Sequence, residues 1–345
     1  PAQSAIKMVP HFNIDGSTAM VVSAFDGETG IKGSFSVEVT GEMVELRPSG
    51  LAFADIVKDL PDGEVIIELK EGNLWIKAKR SNYRIPQLSD LGTTWSMPQM
   101  PNRIGSLNGI IFTDSLSKVL PSASKNISLP SLNAVKFEVV GNVLKLVATD
   151  RYRLTLSELG LNLLEEGNND STKINSMLVP SKTVSDLIKS FAKSDDVVLH
   201  FSDTLGGISD GKIDMVFRLI SGEFPKYQSI VDVSSKQIVE IDANNFKDAL
   251  KRVNKFNPEF VKLEFSGNSL IVSNSNSESG EGREDLDISG LSEDVIISFN
   301  PTYIGDAFSP LEKETEIHFS EGSKAVIIKS PNTPGLLSLV MPVAK

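Results

Sequence analysis

The chain has 345 residues, 40% hydrophobic and 23% charged, with a formal net charge of −11 at pH 7. This composition suits folded domains and excludes wholesale disorder, and no apolar run approaches the ~20 residues that a membrane-spanning helix needs. With no cysteine there is no disulfide framework, thiolate metal site or cysteine nucleophile, and the expected compartment is the cytoplasm.

In chain order, SAIKMVPHFNIDGSTAMVVSAFDGETGIKGSFSVEV (4–39) reads as strands broken by glycine turns. LRPSGLAFADIVKDLPDGEVIIELKEGNLWIKAKR (46–80) follows, with a helix expected over 49–60 and alternating apolar residues after it. Residues 89–106 are rich in turn formers and read as a linker. GIIFTDSLSKVLPSASKN (109–126) holds a helix over 114–122, and AVKFEVVGNVLKLVATDRYRLTLSEL (134–159) holds strands. LVPSKTVSDLIKSFAKSDDVVLHFSD (178–203) places a helix over 181–193, and 231–239 is a second linker. In VEIDANNFKDALKRVNKF (239–256) a short strand runs into a helix over 244–255. Phe246, Ala249, Leu250 and Val253 share one face of it. VKLEFSGNSLIVSNSNSESGEGREDLDIS (261–289) gives strands around a turn, with 278–285 as a hairpin loop, and SFNPTYIGDAFSPLEKETEIHFSEGSKAVIIKS (298–330) places a helix over 302–313.

One pattern recurs at 46–80, 178–203 and 298–330: apolar run, proline, amphipathic stretch, acidic turn, alternating strand. Pro48, Pro180 and Pro301 mark equivalent points, separated by intervals that suit small domains rather than solenoid units. Three related α+β domains are therefore expected, at 1–93, 94–233 and 234–345. Each holds two strand–helix–strands units. The first lacks the opening strand and helix of its first unit, which are expected to precede Pro1.

The helices run basic inside an acidic chain. Lys247, Lys251, Arg252 and Lys255 stand against Asp248; Lys182, Lys189 and Lys193 stand against Asp186; Lys118 and Lys125 mark a third helix. The helices over 49–60 and 302–313 break the trend, the former carrying Lys58 beside Asp55 and Asp59. Such lysines either solvate helix surfaces or line a sequence-blind track for phosphates. Without interleaved aromatics they suit a duplex backbone better than stacked single strands.

No catalytic constellation is visible. There is no GxSxG elbow, P-loop, GxGxxG or HExxH. His200 and His318 occupy one repeat position, where the first copy has Glu68, and read as structural; His11 stands alone. Neither a metal nor a cofactor is expected.

LVATDRYRL (146–154) resembles the ATD-x-x-RL segment of the bacterial DNA polymerase III beta subunit family. SGEFPKYQSIV (221–231) is similar to its G-x-FP-x-Y stretch, ISFNPTYIGDAF (297–308) to its FN-x-x-Y segment and LVMPVAK (339–345) to its VMP ending. The four occur in the family's order, the three-domain count fits, and the resemblance covers essentially the whole chain.

The resemblance implies a clamp-type fold: three repeated domains of β-sheet, each with two helices on the inner face. Two chains join head to tail into a six-domain ring that encircles duplex DNA and performs no chemistry. Lys58, Lys118, Lys125, Lys182, Lys189, Lys193, Lys247, Lys251 and Arg252 would then face the DNA. Replicative polymerase and clamp loader would insert short apolar peptides between the second and third domains. Carried over by segment, the pocket would take Leu132, Thr149, Arg151, Tyr152, Arg153 and Leu154 from the second domain. Pro225, Ile230, Leu339, Val340, Met341 and Pro342 would complete it, with Tyr152 standing where the family commonly has histidine. The subunit contact would use Tyr83 and Ile85 on one side and Lys255 and Phe256 on the other. A repeated-domain scaffold that binds partners without encircling DNA remains open on the residues alone, and basic helices favour the ring over it.

Overall fold

Six helices are found among the described residues: α1 (Gly50–Lys58), α2 (Gly109–Val119), α3 (Ser181–Phe191), α4 (Gln228–Val231), α5 (Ala243–Val253) and α6 (Pro301–Phe308). The three prolines of the repeat all sit at helix starts. Pro48 lies two residues before α1, Pro180 is the N-cap of α3, and Pro301 opens α6. The first helical position suits proline, because the missing N–H is unpaired there anyway. Side-chain caps complete two of the third domain's helix starts. The Asp242 carboxylate accepts from Asn244 N and Asn245 N at 2.8 and 3.0 Å, and Asn300 accepts from Thr302 N and Tyr303 N.

The computed structural model of the chain describes residues 6–88, 97–163, 176–232, 234–257, 259–320 and 325–343. The strands are β1 (Ile6–Phe12), β2 (Thr18–Phe25), β3 (Thr29–Ser36), β4 (Val65–Lys70), β5 (Asn73–Ala78), β6 (Ser81–Pro86), β7 (Asn102–Asn108) and β8 (Ala134–Val140). They continue with β9 (Val143–Thr149), β10 (Arg153–Gly160), β11 (Asn162–Leu163), β12 (Ser176–Pro180), β13 (Asp196–Phe201), β14 (Leu205–Ser209), β15 (Ile213–Arg218) and β16 (Ser235–Asp242). The last are β17 (Val261–Ser266), β18 (Ser269–Asn276), β19 (Gly280–Ser289), β20 (Val295–Phe299), β21 (Glu314–Ser320), β22 (Val326–Lys329) and β23 (Leu336–Val340).

Contacts group the chain into two units, one of 1–109, 163–168 and 193–219, the other of 110–162, 169–192 and 220–345. The first unit holds an eight-stranded sheet, β1-β2-β3-β15-β14-β13-β7-β11, and a three-stranded sheet, β4-β5-β6. The second holds a twelve-stranded sheet, β12-β8-β9-β10-β23-β22-β21-β16-β19-β18-β17-β20. The expected domain 94–233 thus contributes strands to both. Its β15 pairs antiparallel with β3 of the expected first domain, and its β10 pairs antiparallel with β23 of the third. Backbone hydrogen bonds left over at a sheet edge are satisfied by the neighbouring repeat.

The helix spacing holds where apolar periodicity is strong. Phe246, Ala249, Leu250 and Val253 of α5 are all buried, and the Phe246 and Phe308 rings meet at 4.2 Å between α5 and α6. Several boundaries differ from the sequence reading. The helix expected over 114–122 starts at Gly109 and gives way at Leu120–Ser122 to a tight 3-10 turn containing Pro121. The helix expected to reach 313 ends at Phe308, because Pro310 has no N–H with which to continue the ladder. The linker over 89–106 yields to β7 from Asn102, and 89–96 lies outside the described residues. The linker over 231–239 yields to α4 and to β16 from Ser235. The supposed loop over 278–285 is mostly strand, β19, paired with β18 from Gly280 to Asp287. Its charges alternate outward along a pleat, so polarity alone misread it.

No helix among the described residues is long and apolar enough to cross a membrane.

Candidate functional site

The seam between β10 and β23 carries the candidate site. Its antiparallel register sets Leu154 opposite Leu339, Leu156 opposite Leu337, and Arg153 opposite Val340. The pleat then divides these side chains between two faces. Leu154, Leu156, Leu337 and Leu339 join Val147, Ala325, Ile327 and Tyr227 in one buried cluster, with Phe224 and Val231 packed against it. Val340 belongs instead to the larger core that includes Phe246 and Phe308 of the helices. Arg153 turns away from the leucine cluster too. Its guanidinium is held by Asp150 (Nε–Oδ2 3.1 Å), Asp306 and the Pro121 carbonyl, and it lies 4.5 Å from the centre of the Tyr303 ring. Arg153 and Val340, expected to line the pocket, lie by strand alternation on the face opposite the leucine cluster.

The turn before β10 is fixed by its own side chains. Thr149 Oγ1 donates to the Arg153 carbonyl at 2.7 Å and accepts from Arg151 N at 3.1 Å. Asp150 Oδ1 accepts from Tyr152 N and Arg153 N at 3.0 and 3.1 Å. These bonds hold Arg151 at φ +79°, a left-handed conformation that favours glycine. Thr149 therefore acts on the turn, within a buried setting.

What stays accessible is a rim. Tyr152 is 61% exposed and stacks on Tyr303 with ring centres 6.1 Å apart. Met341, 37% exposed, donates its backbone N–H to the Tyr152 carbonyl at 2.8 Å, and Val343 N donates to Ser298 O at 2.8 Å. Pro225 and Ile230 are exposed on the segment around α4. Pro342 is half-buried in the tail, and Leu132 is buried in a loop where its carbonyl accepts from Ser124 N. The arrangement offers aliphatic floor, aromatic and methionine edges, and exposed backbone: the chemistry of a site for an apolar peptide. Tyr227 lies in the leucine cluster, while Tyr303 packs against the larger core and stacks on Tyr152; the sequence reading named neither, and the FP-x-Y and FN-x-x-Y motifs were the available signal.

The expected DNA-facing cations divide into two groups. Lys118 pairs with Asp114 at 2.6 Å, Lys189 lies 3.9 Å from Asp186, and Arg252 makes two bonds to Glu284, at 2.7 and 3.0 Å. The Arg252–Glu284 hydrogen bonds raise the pKa of the arginine and lower that of the glutamate. Lys247 is half-buried and donates to the Leu311 carbonyl at 2.7 Å. The second group, Lys58, Lys125, Lys182, Lys193 and Lys251, is exposed, as are Lys189 and Arg252 of the first. Lys125 and Lys182 flank a cleft of about 480 Å³ between α2 and α3 whose lining includes no carboxylate.

Tyr83 is exposed on β6, an edge strand, but Ile85 two residues on is 2% exposed and packs with Leu74, Ile76 and Met8. Ile85 can offer a partner its backbone edge, not its side chain. Lys255 is exposed, and half-buried Phe256 lies over Gly280 and Gly282 of β19. His200 and His318 hold neighbouring strands: His200 Nδ1 donates to Pro101 O at 3.0 Å, and His318 meets Ser235 Oγ and Glu316 at 2.9 and 2.7 Å. Among the described residues no group of three His, Cys, Asp or Glu could hold a metal ion.

Residues 106–226 match the family model for the DNA polymerase III beta subunit, central domain, and residues 229–344 match that for its C-terminal domain. The Beta sliding clamp of Streptomyces coelicolor is 28% identical over 319 residues, covering 89% of this chain and 82% of that protein. The Beta sliding clamp of Vibrio cholerae is 25% identical and covers 93% and 88%. The crystal structure of the DNA polymerase III subunit beta from Pseudomonas aeruginosa superposes with a TM-score of 0.87 at 19% identity, over 100% of this chain and 93% of that one. That of a sliding clamp from Bartonella birtlesii bound to griselimycin gives 0.88 at 22% identity, over 100% and 92%. These structures share the fold.

Proposed function

We propose that this chain, which belongs to the DNA polymerase III beta subunit family, is a sliding clamp that serves DNA replication as a processivity factor. Three domains, at 1–93, 94–233 and 234–345, make half of a ring, and a second copy closes it head to tail around duplex DNA. The clamp does no chemistry of its own. It raises the effective concentration of a polymerase at its template, in the cytoplasm, by tethering it. Polymerase and clamp loader dock through short apolar peptides at the β10–β23 seam. Exposed Lys125, Lys182, Lys193 and Lys251 give weak, sequence-blind contact with phosphates, which a sliding ring needs. Tyr83 on the edge strand β6 and Phe256 near the end of α5 meet across the subunit contact.

The observation that carries this reading is the pairing of Leu154 with Leu339 and of Met341 N with the Tyr152 carbonyl. It assembles residues from distant motifs into one apolar site. The test loads the protein onto nicked circular DNA with a clamp loader and then linearises the circle. Retention before cutting and loss afterwards are expected; protein that stays bound, or binds without loading, sinks the topological reading. For the pocket, griselimycin, carried by one of the similar clamps, should bind the wild type and bind a Met341→Asp variant much more weakly.

A further inference from the structure

Between Phe217 and Gln237, Tyr227 is the one buried residue among those described. Among the described residues of 219–234 there is no strand and only the short helix α4. Yet this segment carries Pro225 and Ile230, two residues of the proposed pocket rim. Something must hold a largely exposed stretch of chain against the sheet, since exposed loops otherwise open easily.

Tyr227 does so through three kinds of contact. Its ring is 2% exposed, seats in the cluster of Leu154, Leu156, Leu337 and Leu339, and meets Phe224 edge-on with centres 6.4 Å apart. Its carbonyl accepts from Ile230 N and Val231 N at 2.9 and 3.2 Å, which curls the chain into α4. Its hydroxyl donates to Glu138 Oε2 on β8. Glu138 is itself fixed, with Lys136 Nζ 2.6 Å from its other oxygen and 5.5 Å from the centre of the Tyr227 ring.

The charges form an ordered strip. Lys145 lies opposite both Glu138 and Glu158 in the strand register, and it pairs with Glu158 at 2.8 Å. The aromatic ring covers the apolar end of this sheet face and its hydroxyl reaches the charged end. A phenylalanine would fill the same space and leave the carboxylate one donor short. The apolar cluster alone therefore sets how deep residue 227 sits. The hydroxyl sets where along the strip it sits, and so where Pro225 and Ile230 stand.

We propose that Tyr227 is a positioning residue for partner binding: its hydroxyl, latched to Glu138, fixes the pocket wall that bears Pro225 and Ile230. The proposal deepens the peptide-pocket reading above and rests on it. It gives the tyrosine of the FP-x-Y segment a task distinct from filling the core.

The test uses the full-length protein and griselimycin as probe. Tyr227→Phe keeps the ring and removes the latch, and a hydrogen bond to a charged acceptor corresponds to about a tenfold loss of affinity. The loss is expected in the dissociation rate, with association unchanged, because a misplaced wall loosens contacts made after encounter. Glu138→Gln still offers an oxygen to the hydroxyl and should bind within about twofold of wild type, whereas Glu138→Leu should match Tyr227→Phe. Hydrogen exchange gives an independent readout: the Ile230 and Val231 amides should exchange faster in Tyr227→Phe. Equal affinity and equal exchange in that variant overturn the latch, as does a Glu138→Gln loss as large as that of Tyr227→Phe. If the wild type binds no probe, the pocket reading falls, and the exchange measurement still decides the latch.

Discussion

The guanidinium of Arg153, 6% exposed, reaches the carboxylate of Asp306, a residue 153 positions further along the chain. The same group holds Asp150 and the Pro121 carbonyl and lies under the Tyr303 ring. One side chain thereby ties the turn before β10 to α6 and to the end of α2.

Replacing it should be costly. Arg153→Ala leaves Asp150 Oδ2 and the Pro121 carbonyl without the guanidinium in a closely packed setting, and removing one partner of such a pair costs roughly 3 kcal/mol. Asp306 is 37% exposed and recovers water, which keeps the expectation at that lower end. Urea unfolding checks the loss. Arg153→Lys should recover only part of it, since a single ammonium cannot serve three acceptors set around a planar fork.

The two cations at the end of α5 should behave differently. Both are exposed, but Arg252 already donates two bonds to Glu284. Charge reversal at Lys251 should lower retention on circular DNA and reduce its salt dependence by roughly one phosphate's worth. Arg252→Gln should have less effect on retention, because its charge is largely answered within the chain. Equal losses for both would place the arginine among the DNA contacts.

Phe256 depends on the absence of a side chain beneath it. A Cβ on Gly282 would lie 2.6 Å from Cε2 of the ring and 3.5 Å from the Val253 Cα. Gly282→Ala should therefore displace the ring at a cost of about 1–3 kcal/mol, the usual range for overpacking. Sedimentation equilibrium should show a weaker dimer, while griselimycin binding stays unchanged. A dimer as tight as wild type would remove Phe256 from the subunit contact.

Three partly buried carboxylates point to one pH dependence. Burial alone would raise the pKa of Glu45, Glu138 and Asp210. Hydrogen bonds outweigh it: from Lys7 and Arg47, from Lys136 and Tyr227, and from Ser194 and backbone amides. Each is held below its ordinary value of 4.5, 4.5 and 3.8 respectively. A carboxyl depressed in the folded state stabilises it fully above the ordinary value, and the contribution is lost as pH falls through the depressed one. The thermal midpoint should thus be flat above about pH 5 and drop below about pH 4. Glu138→Gln should drop less steeply, measured by circular dichroism.

Much of this protein was legible in its residues. The prolines at 48, 180 and 301 and the apolar spacing of Phe246, Ala249, Leu250 and Val253 located the helix starts and faces. Those signals act over a few residues, through backbone geometry and side-chain period, so a sequence states them directly. The four motif segments likewise named the parts of the proposed pocket. Tertiary structure decided which way those parts face. Arg153 and Leu154 are neighbours in one motif, yet the β10–β23 register sends Leu154 to the leucine cluster of the candidate site and Arg153 to an ion pair with Asp306 on the other face. The same holds for Tyr83 and Ile85, which share a strand face but only one of which reaches solvent. Arg252 has its partner on β19, and Tyr227 has its own on β8. Pairings between residues this far apart depend on which strands meet and in what register, and that is fixed only when the whole chain packs.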